Sequence, residues 1–447
     1  MEFDLEAEIA AWRDALQKAN HLDTEMIQEL EDHLRDEIES LVQTGLREDE
    51  ALIIGIRRLG NAREIGRELA HVNSDKLWKH LFEPPTADLN PREVAWIVAA
   101  ALLAAFLGKI PLLFGVSLND AGWDVYARNA SLFVAPILMV AYVLKSGYRP
   151  ARGAVLFAAV ISAALATNLY PFRPGSDTSL LLALHLPLLM WLGVGLAYCG
   201  DEWQTVRAPV DFIRFTGEFF LYSVLILCGG GVLTALIATF FEAIDIPSES
   251  WVIEYVAFSG LLATPVVAAY LVEKKRSLIE NLAPVLARIF IPLFVLMMIG
   301  YIAAVLIQQK SIVQDRDMLI VIDVLLLLVV GMVLYDLSAR GESEAFSFAH
   351  GLNISLIAAA ILIDAIALYG ILGRLSEYGF TPNRVAALGE NVLLLGNLLV
   401  LGAAYVRMAR AGSGLSHLWL WQVRYFAVYA AWFTFVVFAL PPLFGFR

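Results

Sequence analysis

Apolar runs of about 20 residues recur through residues 94–447, and each is long enough to cross the hydrocarbon of a bilayer as a helix. Lipid offers no hydrogen bonds, so such runs must satisfy their backbone internally, as α-helices do. About eleven runs are expected, at 94–114, 130–145, 152–170, 179–199, 215–240, 251–272, 284–307, 317–337, 350–372, 385–406 and 424–444. The composition agrees: 59% of residues are hydrophobic and 17% charged, against roughly 45–50% and about 25% in soluble domains. A soluble enzyme, a disordered chain and a secreted disulfide scaffold are thereby excluded. Cys199 and Cys228 both fall inside expected spans, so neither a disulfide framework nor a Cys-x-x-Cys metal site is read. No cofactor is expected.

Charge divides the chain. Residues 1–93 hold 22 Asp+Glu against 11 Lys+Arg, whereas residues 94–447 hold 22 against 21. Nearly all of the formal net charge of −12 therefore sits in the first fifth. Residues 1–80 read as a small soluble helical bundle. Phe3, Leu5, Ile9, Trp12 and Leu16 recur at helical spacing, as do Ile27, Leu30, Leu34, Ile38 and Leu41. A third helix carries Ala51, Leu52, Ile56 and Leu59, and a fourth Ile65 and Leu69. Residues 81–93, with Pro84-Pro85 and Asn90-Pro91, read as a linker, and 94–447 as the membrane domain. The fold class expected is all-α throughout. The acidic head repels nucleic acid, and its default reading is a solvated surface. The N-terminus has no basic start or early apolar stretch of a secretory signal.

The residues Glu29-Leu30-Glu31-Asp32-His33-Leu34-Arg35, then Gly45, Glu50-Ala51 and Arg57-Arg58-Leu59-Gly60, resemble the permease-prefix (HAAS-type) signalling domain of bacterial membrane proteins. The resemblance covers about residues 1–75. It implies a regulatory head ahead of a permease-like membrane region, and it carries no catalytic residue. It implies a cytoplasmic protein partner or self-association through residues 1–80. Glu29, His33 and Glu37 share a helix face, but a solvated acidic face explains them better than a metal does.

Lys and Arg set the expected orientation. With the head inside, thirteen basic residues fall in inner loops and six in outer loops. That balance places the head in the cytoplasm, and an odd span count places the C-terminus outside. A multi-pass protein of the bacterial cytoplasmic membrane, in contact with its lipids, is the expectation.

Ionisable groups inside a span cost at least ~2.5–3.5 kcal/mol on insertion scales and invite a functional reading. Asp364, Asp323 and His185 sit deepest; Lys109, Glu218, Glu254 and Glu390 lie near span ends, within reach of headgroups. Asp323, Asp364, Glu390 and His185 are the intramembrane candidates, for a proton relay, a cation site or a polar pocket. Buried polar glue between helices is the competing reading. Asn391 and Asn397 read as interhelical donors. Gly229, Gly230 and Gly231 interrupt the fifth run, either as a helix break of the transporter kind or as a close-packing surface.

Between the ninth and tenth runs stand Arg374, Glu377, Tyr378, Gly379, Thr381, Pro382, Asn383 and Arg384. Gly379 can end one helix, while Thr381 caps the next with Pro382 in first position. Arg374, Glu377, Tyr378, Thr381, Asn383 and Arg384 also form a candidate anion or lipid-headgroup site at a helix start. This stretch is similar to the Tyr-Gly-x-Thr-x-Asn-Arg signature of a large bacterial membrane-protein family, a domain of unknown function. The resemblance implies the architecture and no chemistry.

Three functions follow. The first is a signal-coupled, permease-like protein that binds or moves a small solute or lipid, with Asp364, Asp323 and Glu390 in proton or cation coupling. The second is a non-transporting sensor or scaffold whose acidic head docks a cytoplasmic regulator. The third is an enzyme on lipid-linked substrates, which the absence of HExxH, GxSxG, P-loop and acidic metal motifs disfavours.

Overall fold

A computed structural model describes residues 5–6, 8–9, 12–13, 24–43, 46–59, 91–118, 122–242, 251–274, 282–308, 316–338, 347–411 and 416–447. Among them there is no strand. The chain divides into two compact units, Met1–Leu89 and Asn90–Arg447.

In the first unit, α1 (Thr24–Gln43) and α2 (Glu48–Leu59) form a hairpin. Ile9, Leu34, Ile38, Leu41, Ala51 and Leu52 make its core, with Leu5 and Trp12 against it. These are the positions that helical spacing assigns to the apolar stripes. Arg35 donates two bonds to Glu6, at 2.7 and 2.8 Å, and also pairs with the buried Glu31. His33 is exposed. The expected fourth helix and most of the linker lie outside the described residues.

The second unit holds α3 (Pro91–Leu107), the short α4 (Ile110–Leu113), α5 (Trp123–Ser146), α6 (Pro150–Leu169), α7 (Asp177–Cys199), α8 (Arg207–Glu242), α9 (Phe258–Lys274), α10 (Leu282–Gln308), α11 (Arg316–Ser338), α12 (Phe348–Tyr378), α13 (Pro382–Ala411), α14 (Ser416–Thr434) and α15 (Leu440–Leu443). Nine helical segments among the described residues are long and apolar enough to cross a membrane, as a multi-pass membrane protein requires. Two of the about eleven expected spans fall short of that. α3 stops at Leu107, because Gly108, Lys109 and Pro111 interrupt the run before it reaches full length. α10 is continuous, but its described apolar stretch is Phe290–Ala303. α9 is entered through a π-helical turn, Val252–Ala257.

Two apolar cores build this unit. One joins α3, α5, α6, α7, the start of α8, and α9. The other joins α10 to α14 with Ile213 of α8. Gly193 lets α7 close on α5, since a Cβ there would lie 2.6 Å from the Met139 methyl. Gly389 of α13 admits Trp432, whose ring would lie 1.9 Å from an added Cβ.

The glycine run differs from expectation. α8 stays helical through Gly229, Gly230 and Gly231, and a Cβ on any of them would meet nothing within 4 Å. These glycines neither unwind the helix nor seat a neighbour among the described residues. Where no water competes, intrahelical bonds hold such a stretch despite its poor propensity.

Candidate functional site

α7, α11, α12 and α13 each place one of the four intramembrane candidates. With a 1.5 Å rise per residue, His185 and Glu390 lie about 12 Å, and Asp323 about 10 Å, from the ends of their helices at Asp177, Pro382 and Arg316. His185 is buried against Phe433, with ring centroids 5.9 Å apart. Its Nδ1 lies 2.8 Å from the Leu181 carbonyl, and its Nε2 lies 2.6 Å from Glu390 Oε1. Glu390 therefore points inward to a partner and does not snorkel. Pro382 starts α13 two turns earlier, so the residue lies too deep for an easy exit.

The next residue extends the contact. Asn391, fully buried, donates to Asp323 Oδ1 at 2.7 Å and to the Ala387 carbonyl at 2.8 Å. Asp323 also feels the charges of Glu390 and Asp364. Asp364 is 0% exposed, and neither of its carboxyl oxygens has a hydrogen-bond partner among the described residues. Asn391 Oδ1 is likewise buried without one. An uncompensated charge in such a place costs several kcal/mol. Taking up and releasing a proton is the chemistry that an unpartnered carboxyl of this kind supports.

Geometry also fixes one proton. A carbonyl only accepts, so His185 Nδ1 carries a hydrogen toward Leu181. One more proton must then lie between Nε2 and Glu390 Oε1. It belongs either to an imidazolium facing a carboxylate or to a carboxylic acid facing neutral imidazole. Without it, two lone pairs would meet at 2.6 Å.

Below this group, Asn397 forms a second junction that spacing alone did not place. It exchanges two bonds with Gln422, at 2.8 and 3.2 Å, donates to Tyr429 at 3.1 Å and accepts from Trp421 at 3.3 Å. Tyr429 in turn feels the charge of Asp364. Sequence reading marked Asn397 as a donor but missed Gln422 and Tyr429, which lie seven residues apart on one face of α14.

The turn between α12 and α13 is a separate place. Gly379 ends α12 at φ 72°, ψ −170°, a conformation open essentially to glycine and not the ordinary left-handed cap. Arg384 donates to the Gly379 carbonyl at 2.7 Å and covers the Tyr378 ring at 5.4 Å. Thr381 Oγ1 accepts from the Arg384 backbone at 3.4 Å. Tyr378 bonds to Glu377 and feels Arg374 and Arg384. Asn383 is half-buried beside them. Arg384 is thus engaged within the turn itself.

No family model matches the chain, no curated protein is similar to it, and no solved structure matches its fold. The site's own geometry carries the functional reading.

Proposed function

We propose that this is a permease-like protein of the bacterial cytoplasmic membrane that binds or moves a small solute or lipid in step with protonation of His185, Glu390, Asp323 and Asp364. One observation carries the reading: four ionisable groups spread over 205 residue positions of sequence converge on four neighbouring helices. Structural glue needs its polar groups satisfied, and Asp364 is not. Proton loss would part His185 from Glu390 and so loosen α7 against α13. That supplies the two-state element that coupled movement needs. The N-terminal unit, with its permease-prefix resemblance, would be a cytoplasmic regulator of this cycle.

Full-length protein in liposomes loaded with a pH-sensitive dye tests this. Wild type should dissipate an imposed proton gradient faster than protein-free liposomes, and Asp364→Asn should lower the protein-dependent rate about ten-fold or more. Equal rates in wild type and Asp364→Asn would end the proposal.

A second reading rests on the burial of Asp364, which is sealed at 0% exposure. A non-transporting sensor whose membrane unit responds to protonation without flux would also keep it sealed. It predicts proton binding with no dissipation of the gradient.

A further inference from the structure

The same three helices carry a second buried polar group at their other end. Asp336 lies at the C-terminal end of α11, Asn353 near the start of α12 and Tyr405 in the last third of α13. Asn353 donates to Asp336 Oδ2 at 2.7 Å and reaches the Tyr405 hydroxyl at 3.3 Å. His350, one turn before Asn353, packs its ring 6.2 Å from Tyr405. The Ser347 backbone N–H donates to His350 Nδ1 at 3.0 Å, so the neutral ring carries its hydrogen on Nε2. All four side chains are buried, and Asn353 Oδ1 has no hydrogen-bond partner among the described residues. On the neighbouring faces of α8 and α11, Arg214 donates to the Ser338 carbonyl, and buried Glu218 faces Tyr335.

Helical arithmetic aligns the two groups. Asn353 and Asp364 are eleven residues apart, close to three full turns, so they share one face of α12 about 16 Å apart. Between them stands a layer with no polar side chain on that face. Ile357 and Ala360 of α12 meet Leu398 and Leu401 of α13 and Leu326 and Val329 of α11, all 0–1% exposed. The layer is tight: a Cβ on Gly402 would lie 3.2 Å from Ile357.

We infer that Asp336, Asn353, Tyr405 and His350 form a second proton station on the path that begins at Asp364, and that the apolar layer between them is its gate. The inference rests on the proton-coupled reading above. The layer offers no donor or acceptor, so a proton crosses only when the three helices part enough to admit a chain of water. The Asp364 O–H bond then breaks, an O–H bond forms on the Asp336 carboxylate, and no electron changes hands. Closed, the layer separates the two stations, and its opening sets the protein-dependent proton rate.

The test uses the full chain in dye-loaded liposomes with protons as the only probe. Asp336→Asn should lower the protein-dependent proton rate about ten-fold, as Asp364→Asn does. Ile357→Ser, which hydrates the layer, should raise the rate several-fold, and adding Asp364→Asn to it should abolish the gain. A gain that vanishes with Asp364→Asn separates passage through the layer from a non-specific leak. An Asp336→Asn rate equal to wild type, with Asp364→Asn still impaired, would overturn the second station and leave the first standing. An Ile357→Ser rate no higher than wild type would overturn the gate. A wild-type rate no higher than that of protein-free liposomes would overturn the underlying reading itself.

Discussion

The two apolar cores of the membrane unit differ in what stands at their centre. In the first, around α5 to α9, the interior is aromatic. Trp191 lies 4.5 Å from Phe219 and stacks on Phe215, which also meets Tyr198 at 5.1 Å. Its interhelical polar pair is closed: Asn129 and Asn168 each donate to the other, at 3.0 and 2.9 Å. In the second, around α10 to α14, the Asn397–Gln422 pair is closed in the same way, but a second polar group is left open. Asp364 has two orphan oxygens, and Asn391 and Asn353 have one each. A closed pair fastens helices. An open one, held at a cost of about 1–3 kcal/mol per group, remains in a structure where it exchanges something. The contrast separates packing from function within one unit.

The contrast can be broken at several points. Asn397→Leu should cost about 3 kcal/mol, because it strands Gln422 and leaves Tyr429 and Trp421 short of a partner. Thermal unfolding of the full chain in lipid should show this, and a stability equal to wild type would mean that the second core does not depend on its polar network. Gly389→Ala comes next, at about 2 kcal/mol, since the rigid Trp432 ring must move to admit a methyl. It should also weaken the His185–Glu390 contact one residue away. The same melts check the first part, and the pH dependence of accessibility at α7 checks the second. Replacing both Asn129 and Asn168 by Leu should change stability by no more than about 0.5 kcal/mol, because removing both partners leaves nothing orphaned. A large loss there would erase the difference between the two cores.

The smallest effect serves as a control in water. In the N-terminal unit, the side-chain hydrogen bonds of Arg35 hold the Glu6 carboxyl below its ordinary value. A carboxyl lowered in the folded state contributes stability above the unfolded value and loses it as pH falls through the folded one. The contribution is therefore present at neutral pH and fades below the ordinary glutamate range. Hydrogen exchange of α1 amides in the full chain should be faster in Glu6→Gln at pH 7, and the difference should close in acid. The pair is solvent-exposed, so the change is small. An effect as large as that at Asn397 would show that water does not screen it as argued.

Much of the fold is legible without coordinates, because a run such as residues 179–199 has one way to live in lipid. The run at 94–114 was expected to span, but Gly108, Lys109 and Pro111 interrupt it, and α3 ends at Leu107. The glycine run of α8 is not legible from sequence, since a glycine's meaning depends on what stands opposite, and among the described residues nothing lies within 4 Å of a Cβ at Gly229. At the site, charge in an apolar run marked His185, Asp323 and Asp364. What spacing could not show was that Glu390 turns inward, since its partner comes from a helix 205 positions away. Asp336 was missed because it sits two residues from the end of α11, where an acidic group passes for an interfacial one. The signal that could have found it is the eleven-residue step from Asn353 to Asp364 on α12.

An unpartnered carboxyl inside the membrane unit should exchange a proton. Difference infrared spectroscopy on the full chain in lipid, across a pH step, tests it most directly. The account predicts a protonated-carboxyl C=O band that changes with pH, shifts in D2O and loses intensity in Asp364→Asn. A carboxyl signal identical in wild type and Asp364→Asn would contradict it.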